Sequence, residues 1–164
     1  MHKKIGLAEL EDLPITNQQE IPEEYRDVFG HMNVMWYTRL FGYSFDKFGG
    51  LFGFDVAYCR ANLIGSFALE THLRYLSEVC IAQHITIRSR ALGRSEKRIH
   101  YIHFMSVDET GTLAATAEHI SAHIDMGTRR MSPMPRDVCA RFDELVARQN
   151  QLSWNPPVCG SMKP

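Results

Sequence analysis

The stretch Asn33–Gly50, NVMWYTRLFGYSFDKFGG, decides the fold. Val34, Tyr37, Phe41, Phe45 and Phe48 recur at spacings of three or four, the period of an α-helix. Trp36, Leu40 and Tyr43 widen the stripe until most of the circumference is apolar, and only Arg39, Asp46 and Lys47 carry charge. A helix that is apolar nearly all round is a buried one. Asn33 suits the N-cap position, and Gly49-Gly50 supplies a stop.

Outward from this helix the period changes to two. Residues 66–76, SFALETHLRYL, set Phe67, Leu69, Leu73 and Tyr75 on one face and Ser66, Glu70, His72 and Arg74 on the other. Residues 83–92 alternate again, and residues 98–107 and 112–125 read as two more long strands around a turn at Asp108-Glu109-Thr110-Gly111. Upstream, residues 15–26 form a first strand interrupted near Pro22. A last helix runs from about Arg136 to Gln149, with Val138, Phe142, Leu145 and Val146 on its apolar side. The proline- and glycine-bearing end, about residues 150–164, reads as an irregular, mobile tail. One apolar helix among four long antiparallel strands makes an α+β domain, a curved antiparallel sheet wrapped around one long buried helix.

A length of 164 residues, with 45% hydrophobic and 23% charged side chains, matches a single globular domain. The net charge of -1 and pI near 6.7 lack the basic footprint of a nucleic-acid binder. No apolar stretch reaches the roughly 18 residues that span a bilayer. The start, MHKKIGLAELED, carries two lysines without the apolar run of a signal peptide. Cys59, Cys80, Cys139 and Cys159 are scattered, with no C-x-x-C pair, which fits free structural thiols in a reducing compartment. These features describe a cytoplasmic protein with one domain, residues 1–164.

The densest chemistry lies in YRDVFGHMNVMWY, residues 25–37, where the first strand meets the helix. Asp27, His31 and Asn33 fall within seven residues, with Gly30 between them. These residues fit a turn and a helix cap. They equally fit a site in which helix-start N–H groups hold an oxyanion while Asp27 activates water, and spacing alone leaves both open. Glu70, His72 and Arg74 form a charged ladder on one strand face, as in a solvated surface or an interface ion pair. Arg94, Lys97 and Arg98 surround the turn before residue 98. The pairs His100/His103 and His119/His123 lack a completing ligand at familiar spacing, so no metal site is expected. A phosphate-binding glycine loop, a G-x-S-x-G elbow and a redox cysteine pair are all missing.

The pattern Asp-x-x-Gly-His-x-Asn before an aromatic-rich helix resembles the hotdog-fold acyl-CoA thioesterases of the 4-hydroxybenzoyl-CoA thioesterase type. Within Ile21–Met126, the segments FGHMNVMWYTRLFG, ALETHLRYLSEV, SEKRIHYIHFM and LAATAEHISAHID resemble the betainyl-CoA thioesterase group linked to carnitine breakdown. That group includes the thioesterase domain sometimes fused to carnitine dehydrogenases. The resemblance implies hydrolysis of a short polar acyl-CoA, betainyl-CoA first, to free acid and CoA, with no metal or organic cofactor. By position it puts the catalytic carboxylate on Asp27, the backbone around the thioester carbonyl on Gly30 and His31, and the helix start on Asn33. Glu70 and His72 would wall the acyl group, with Trp36 and Tyr37 beside a cationic trimethylammonium. Arg94, Lys97 and Arg98 would meet the phosphates of coenzyme A. Tyr25 stands where many relatives carry an acid, and Val34 where a second Asn would follow.

The fold so implied is a homodimer with sites at the interface, or a tetramer built from such dimers, without nucleic-acid or membrane partners. Other readings are a non-catalytic acyl-CoA-binding module and a thioesterase for another small or aromatic acyl-CoA. A hydratase on the same fold is disfavoured, because His103-Phe104 is followed by Met105 instead of proline.

Overall fold

The change from helical to alternating period falls where the pattern of side chains puts it. A computed structural model describes residues 5–164; Lys3 and Lys4, the two lysines of the start, lie outside the described residues. The chain runs α1 (Leu7–Leu10), β1 (Ile15–Glu20), α2 (Val34–Gly50), α3 (Val56–Asn62) and β2 (Ile64–Tyr75). It continues through β3 (His84–Arg94), β4 (Arg98–Val107), β5 (Thr112–Asp125), β6 (Arg130–Met131) and α4 (Arg136–Gln149). The sheet is antiparallel in the order β1-β3-β4-β5-β2, with β6 on the end of β5. This is the hotdog arrangement that the resemblance implies. Among the described residues, no helix is long and apolar enough to cross a membrane.

Pro22 ends the first strand early: β1 stops at Glu20, and Glu23–Tyr25 form a 3-10 turn instead. The short helix α3 is too brief to show a period. It rests on caps, with Asp55 Oδ1 accepting the Tyr58 N–H at 2.7 Å and Leu63 stopping it in a left-handed conformation.

One layer of core fills the space between α2 and the concave face of the sheet. Tyr37, Leu40 and Phe41 pack with Ile85, Ile87, Met105, Ala115 and Ala117. Further along, Phe48 joins Tyr101 and the α4 residues Val138, Phe142 and Leu145. The helix is buried on this side alone. Val34, Met35 and Tyr43 stay more than half exposed, because the sheet wraps one face of the helix and leaves the other bare.

The convex face of the sheet carries its own apolar layer. Leu10, Leu13, Ile102, Phe104 and Trp154 form it, so the two ends of the chain cover what would otherwise be solvent-facing. After α4 the chain forms no further helix or strand, and it is anchored. Arg90 Nη1 donates to Trp154 O at 3.0 Å, its guanidinium lies 4.6 Å from the indole centroid, and Met162 is buried.

Register corrects one expectation. A bulge between Ala68 and Glu70 breaks the alternation of β2. Phe67 therefore shares the convex face with Glu70, His72 and Arg74, while Thr71, Leu73 and Tyr75 turn toward α2.

Polar groups are also buried under α2. Thr16 Oγ1 and Ser89 Oγ are 2.7 Å apart, and Ser89 Oγ is 2.6 Å from His103 Nδ1. His119 Nδ1 pairs with Thr71 Oγ1 at 3.0 Å, and the Nε2 atoms of both histidines have no partner among the described residues. Burial, and then the neighbouring His119, hold His103 well below the usual imidazole range; burial brings His119 down to about 4.

Both imidazoles are thus neutral in the folded chain and bind protons more readily once it unfolds. Above the unfolded pKa of about 6.5 neither state is charged and nothing is lost. Below it the unfolded state takes up protons that the folded state refuses, so stability falls as pH drops from about 6.5 toward 4. For His119 alone the full loss is on the order of 3 kcal/mol. Urea midpoints measured between pH 7.5 and pH 4.5 should fall steadily, and His119→Gln should flatten part of that slope.

Candidate active site

Backbone pairings close the loop between β1 and α2. Met32 N–H donates to Val79 O at 2.8 Å, Asn33 N–H to Tyr25 O at 2.8 Å, and Asp27 N–H to His31 O at 2.9 Å. Gly30, at φ +97°, takes a left-handed turn that a residue with a Cβ resists. Arg26 braces the loop, held by both Glu23 oxygens at 2.5 and 2.7 Å and donating to Gly30 O at 2.9 Å. At the tip, Val28 and Phe29 are almost bare.

Asp27 is fixed inside this loop. Its Oδ1 accepts the Phe29 N–H at 2.8 Å, and its Oδ2 stands 3.2 Å from His31 Nδ1. Desolvation pushes its pKa up, but the Phe29 N–H, the His31 imidazole and the His31 and Gly30 N–H groups outweigh it, and the net shift is down. The carboxylate is therefore an anion at neutral pH. With His31, Tyr37, Tyr75 and Glu78 it lines an open cleft of about 400 Å³. His31 Nε2 lies 3.9 Å from Glu78 Oε2, so the imidazole stands between two carboxylates. Tyr37 and Tyr75 meet edge to face with centroids 5.1 Å apart, and burial pushes the Tyr37 hydroxyl up to about 12. Such a cleft offers an anionic base or nucleophile, and aromatic and acidic walls suited to a cation.

The structure brings Asp27, His31 and Tyr37 together, with Gly30 and Asn33 shaping the loop and the helix start. Gly30 and His31, however, precede α2 and are not part of its first turn. Asn33 is the cap, its Oδ1 accepting the Met35 N–H at 3.0 Å, so the helix begins at Val34. The Gly30 N–H is directed to Asp27 O at 3.3 Å. Trp36 is elsewhere: it stacks on Tyr25 with centroids 3.6 Å apart, 9° from parallel, and Arg39 lies over its ring.

The remaining expected residues are not gathered at this cleft within one chain. Glu70 and His72 lie on the convex face, with the sheet between them and α2. Arg94, Lys97 and Arg98 sit at the far end of β3 and β4, roughly 30 Å along the strands at about 3.3 Å per residue. Arg94 is also engaged, donating to both Asp143 oxygens at 2.7 and 2.5 Å.

Sequence reading missed the cleft roles of Tyr75 and Glu78. They reach Asp27 because Met32 pairs with Val79 and His31 bridges Cys80. Nothing in local periodicity reports pairings so distant in the chain.

A family model described as the thioesterase-like superfamily matches residues 22–142. The chain is similar to an L-carnitine dehydrogenase/betainyl-CoA thioesterase of Agrobacterium fabrum, 32% identical over 75% of this chain but only 25% of that protein. It thus spans about a quarter of that relative's length. It is also similar to a betainyl-CoA thioesterase of Pseudomonas aeruginosa, 28% identical over 84% of this chain and 86% of the other. Among solved structures, a Staphylococcus aureus protein in complex with CoA superposes with a TM-score of 0.80 at 24% identity, covering 93% of this chain and 96% of the other. A DHNA-CoA thioesterase from the same organism gives 0.75 at 18% identity, over 82% and 92%. At those identities the structures speak to the fold alone.

Proposed function

Because the chain belongs to the thioesterase-like superfamily, we propose that it is an acyl-CoA thioesterase that cleaves a short polar acyl thioester, betainyl-CoA first, to the free acid and CoA. The observation that carries this reading is the Asp27 carboxylate, kept ionised at the rim of the cleft by the Phe29 N–H and His31.

In one route Asp27 takes a proton from water as the water attacks the thioester carbonyl. In the other its oxygen attacks directly, expels the CoA thiolate and leaves an anhydride that water opens. Backbone N–H groups in the first turn of α2, which starts at Val34, stabilise the oxyanion, where the helix dipole adds partial positive charge; Gly30 and His31 shape the loop that aims Asp27 at it. His31 orients Asp27 through its 3.2 Å contact.

For the acyl group, the two relatives named for betainyl-CoA set the preference. The Tyr37–Tyr75 pair and the Glu78 carboxylate support it, since π faces and an acid attract a quaternary ammonium. Leu40 and Phe41, buried just behind Tyr37, leave little depth for a long chain.

The bare face of α2 and the twelve-residue edge strand β2, with Phe67 64% and Leu69 42% exposed, support a two-fold dimer. Within one chain the only described cation on this loop, Arg26, is tied to Glu23 and Gly30 O, so a second copy would supply phosphate-binding cations from the turn carrying Lys97 and Arg98. The cytoplasm is the proposed location, in keeping with four unpaired cysteines.

Asp27→Asn keeps an acceptor for the Phe29 N–H but removes the basic oxygen. Followed with a thiol reagent, kcat should fall at least about a hundredfold with little change in KM; near-normal turnover would remove Asp27 from the chemistry. Across a panel of acyl-CoAs, kcat/KM should be higher for betainyl-CoA than for palmitoyl-CoA. Light scattering at micromolar concentration should give a dimer or a multiple of it, and an active monomer would overturn the shared-site reading.

A further inference from the structure

The convex face of the sheet holds a polar cluster that thioester hydrolysis leaves unused. Glu118, in the middle of β5, is 1% exposed. His100 Nε2 on β4 lies 2.8 Å from its Oε1. Its Oε2 accepts the Cys159 N–H at 2.7 Å and lies 3.8 Å from His72 Nδ1 on β2. Gly160, at φ +81°, turns the tail at this point. One ligand atom each from His72, Glu118 and Cys159 falls within 4.8 Å of the others.

We infer that His72, Glu118 and Cys159 form a transition-metal site, suited to Zn²⁺, that clips the C-terminal tail to the outside of the sheet. The donor set is the first argument. Imidazole, carboxylate and thiolate are the three side-chain ligands zinc takes, and a soft thiolate excludes Mg²⁺ and Ca²⁺ as the natural occupant. Geometry is the second. Two ligands about 2.0–2.3 Å from a tetrahedral ion stand roughly 3.3–3.6 Å apart, so the His72–Glu118 separation closes with a small side-chain movement.

Charge is the third argument. A buried carboxylate needs a compensating cation, and the ion-pair partners of Glu118 among the described residues are two imidazoles, with no Lys or Arg. A divalent ion supplies that charge. His100 then serves as an orienting partner, its ring fixing the carboxylate from behind. Binding is balanced by loss of the Cys159 thiol proton to solvent as the metal–sulfur bond forms, and water completes the fourth position.

The test uses the full chain freed of metal by a chelator and then given Zn²⁺ or Co²⁺ at micromolar concentration. One equivalent should remain bound per chain after desalting, and the Co²⁺ form should show a near-ultraviolet thiolate-to-cobalt band. Cys159→Ser should abolish that band and weaken Zn²⁺ binding at least about tenfold, and His72→Ala should weaken it similarly. Cys139→Ser, which alters a thiol on α4, should change neither. Zn²⁺ should also slow protease cleavage beyond residue 150 in the parent chain and not in Cys159→Ser. Uptake below stoichiometry, or equal binding by Cys159→Ser and the parent chain, overturns the site. None of these readouts involves thioester turnover, so this inference and the thioesterase reading fail separately.

Discussion

The packing of one face of α2 against the concave side of the sheet is the contact on which the rest of the molecule depends. Leu40, Phe41 and Phe48 are each 1% exposed or less. Burying a side chain of that size is worth about 1.5–3 kcal/mol, against about 1 kcal/mol for the Asn33 cap. Packing therefore holds the helix in place, and the cap fixes where it starts. Once α2 lies along the sheet, its N-terminus must enter beside the end of β2. That entry sets Asp27 next to Tyr75 and Glu78 and pairs Met32 with Val79.

The same geometry explains why the site is built on a loop that is nonetheless rigid. Residues 26–33 belong to no strand, yet Asp27, Met32 and Asn33 donate their N–H groups to backbone carbonyls, Gly30 turns left-handed and Arg26 ties the far side. A carboxylate held this way needs little reorganisation at the moment of reaction, which is where preorganised sites gain most of their effect. Val28 and Phe29 at the tip, like Val34 and Met35 on α2, leave apolar side chains exposed.

The convex face shows a different economy. Sheets of this kind leave one side to solvent, but here the N-terminal segment and the tail after α4 build a second apolar layer over Ile102 and Phe104. That cover is what buries Glu118 and draws Cys159 toward His72. A polar cluster of this kind arises from covering the sheet, independently of the cleft on its other side.

Residue pattern alone determined the elements that span many residues. The three-four spacing of Tyr37, Phe41, Phe45 and Phe48, the alternation in residues 98–107 and 112–125, and the apolar face of Val138, Phe142 and Leu145 each report a local period, and β4, β5 and α4 have those bounds. The Asp27–Asn33 motif was legible for the same reason, being contiguous. Tertiary structure alone decided which distant groups meet: Tyr75 and Glu78 with Asp27, His72 with Glu118 and Cys159, and Trp36 with Tyr25. It also decided face. A single bulged residue near Leu69 moved Phe67 to the side of Glu70 and His72, because strand side chains alternate with period two and one extra residue inverts everything beyond it. Periodicity sees neighbours along the chain, whereas register, bulges and the wrapping of the two chain ends are set by the free energy of the whole packed sheet.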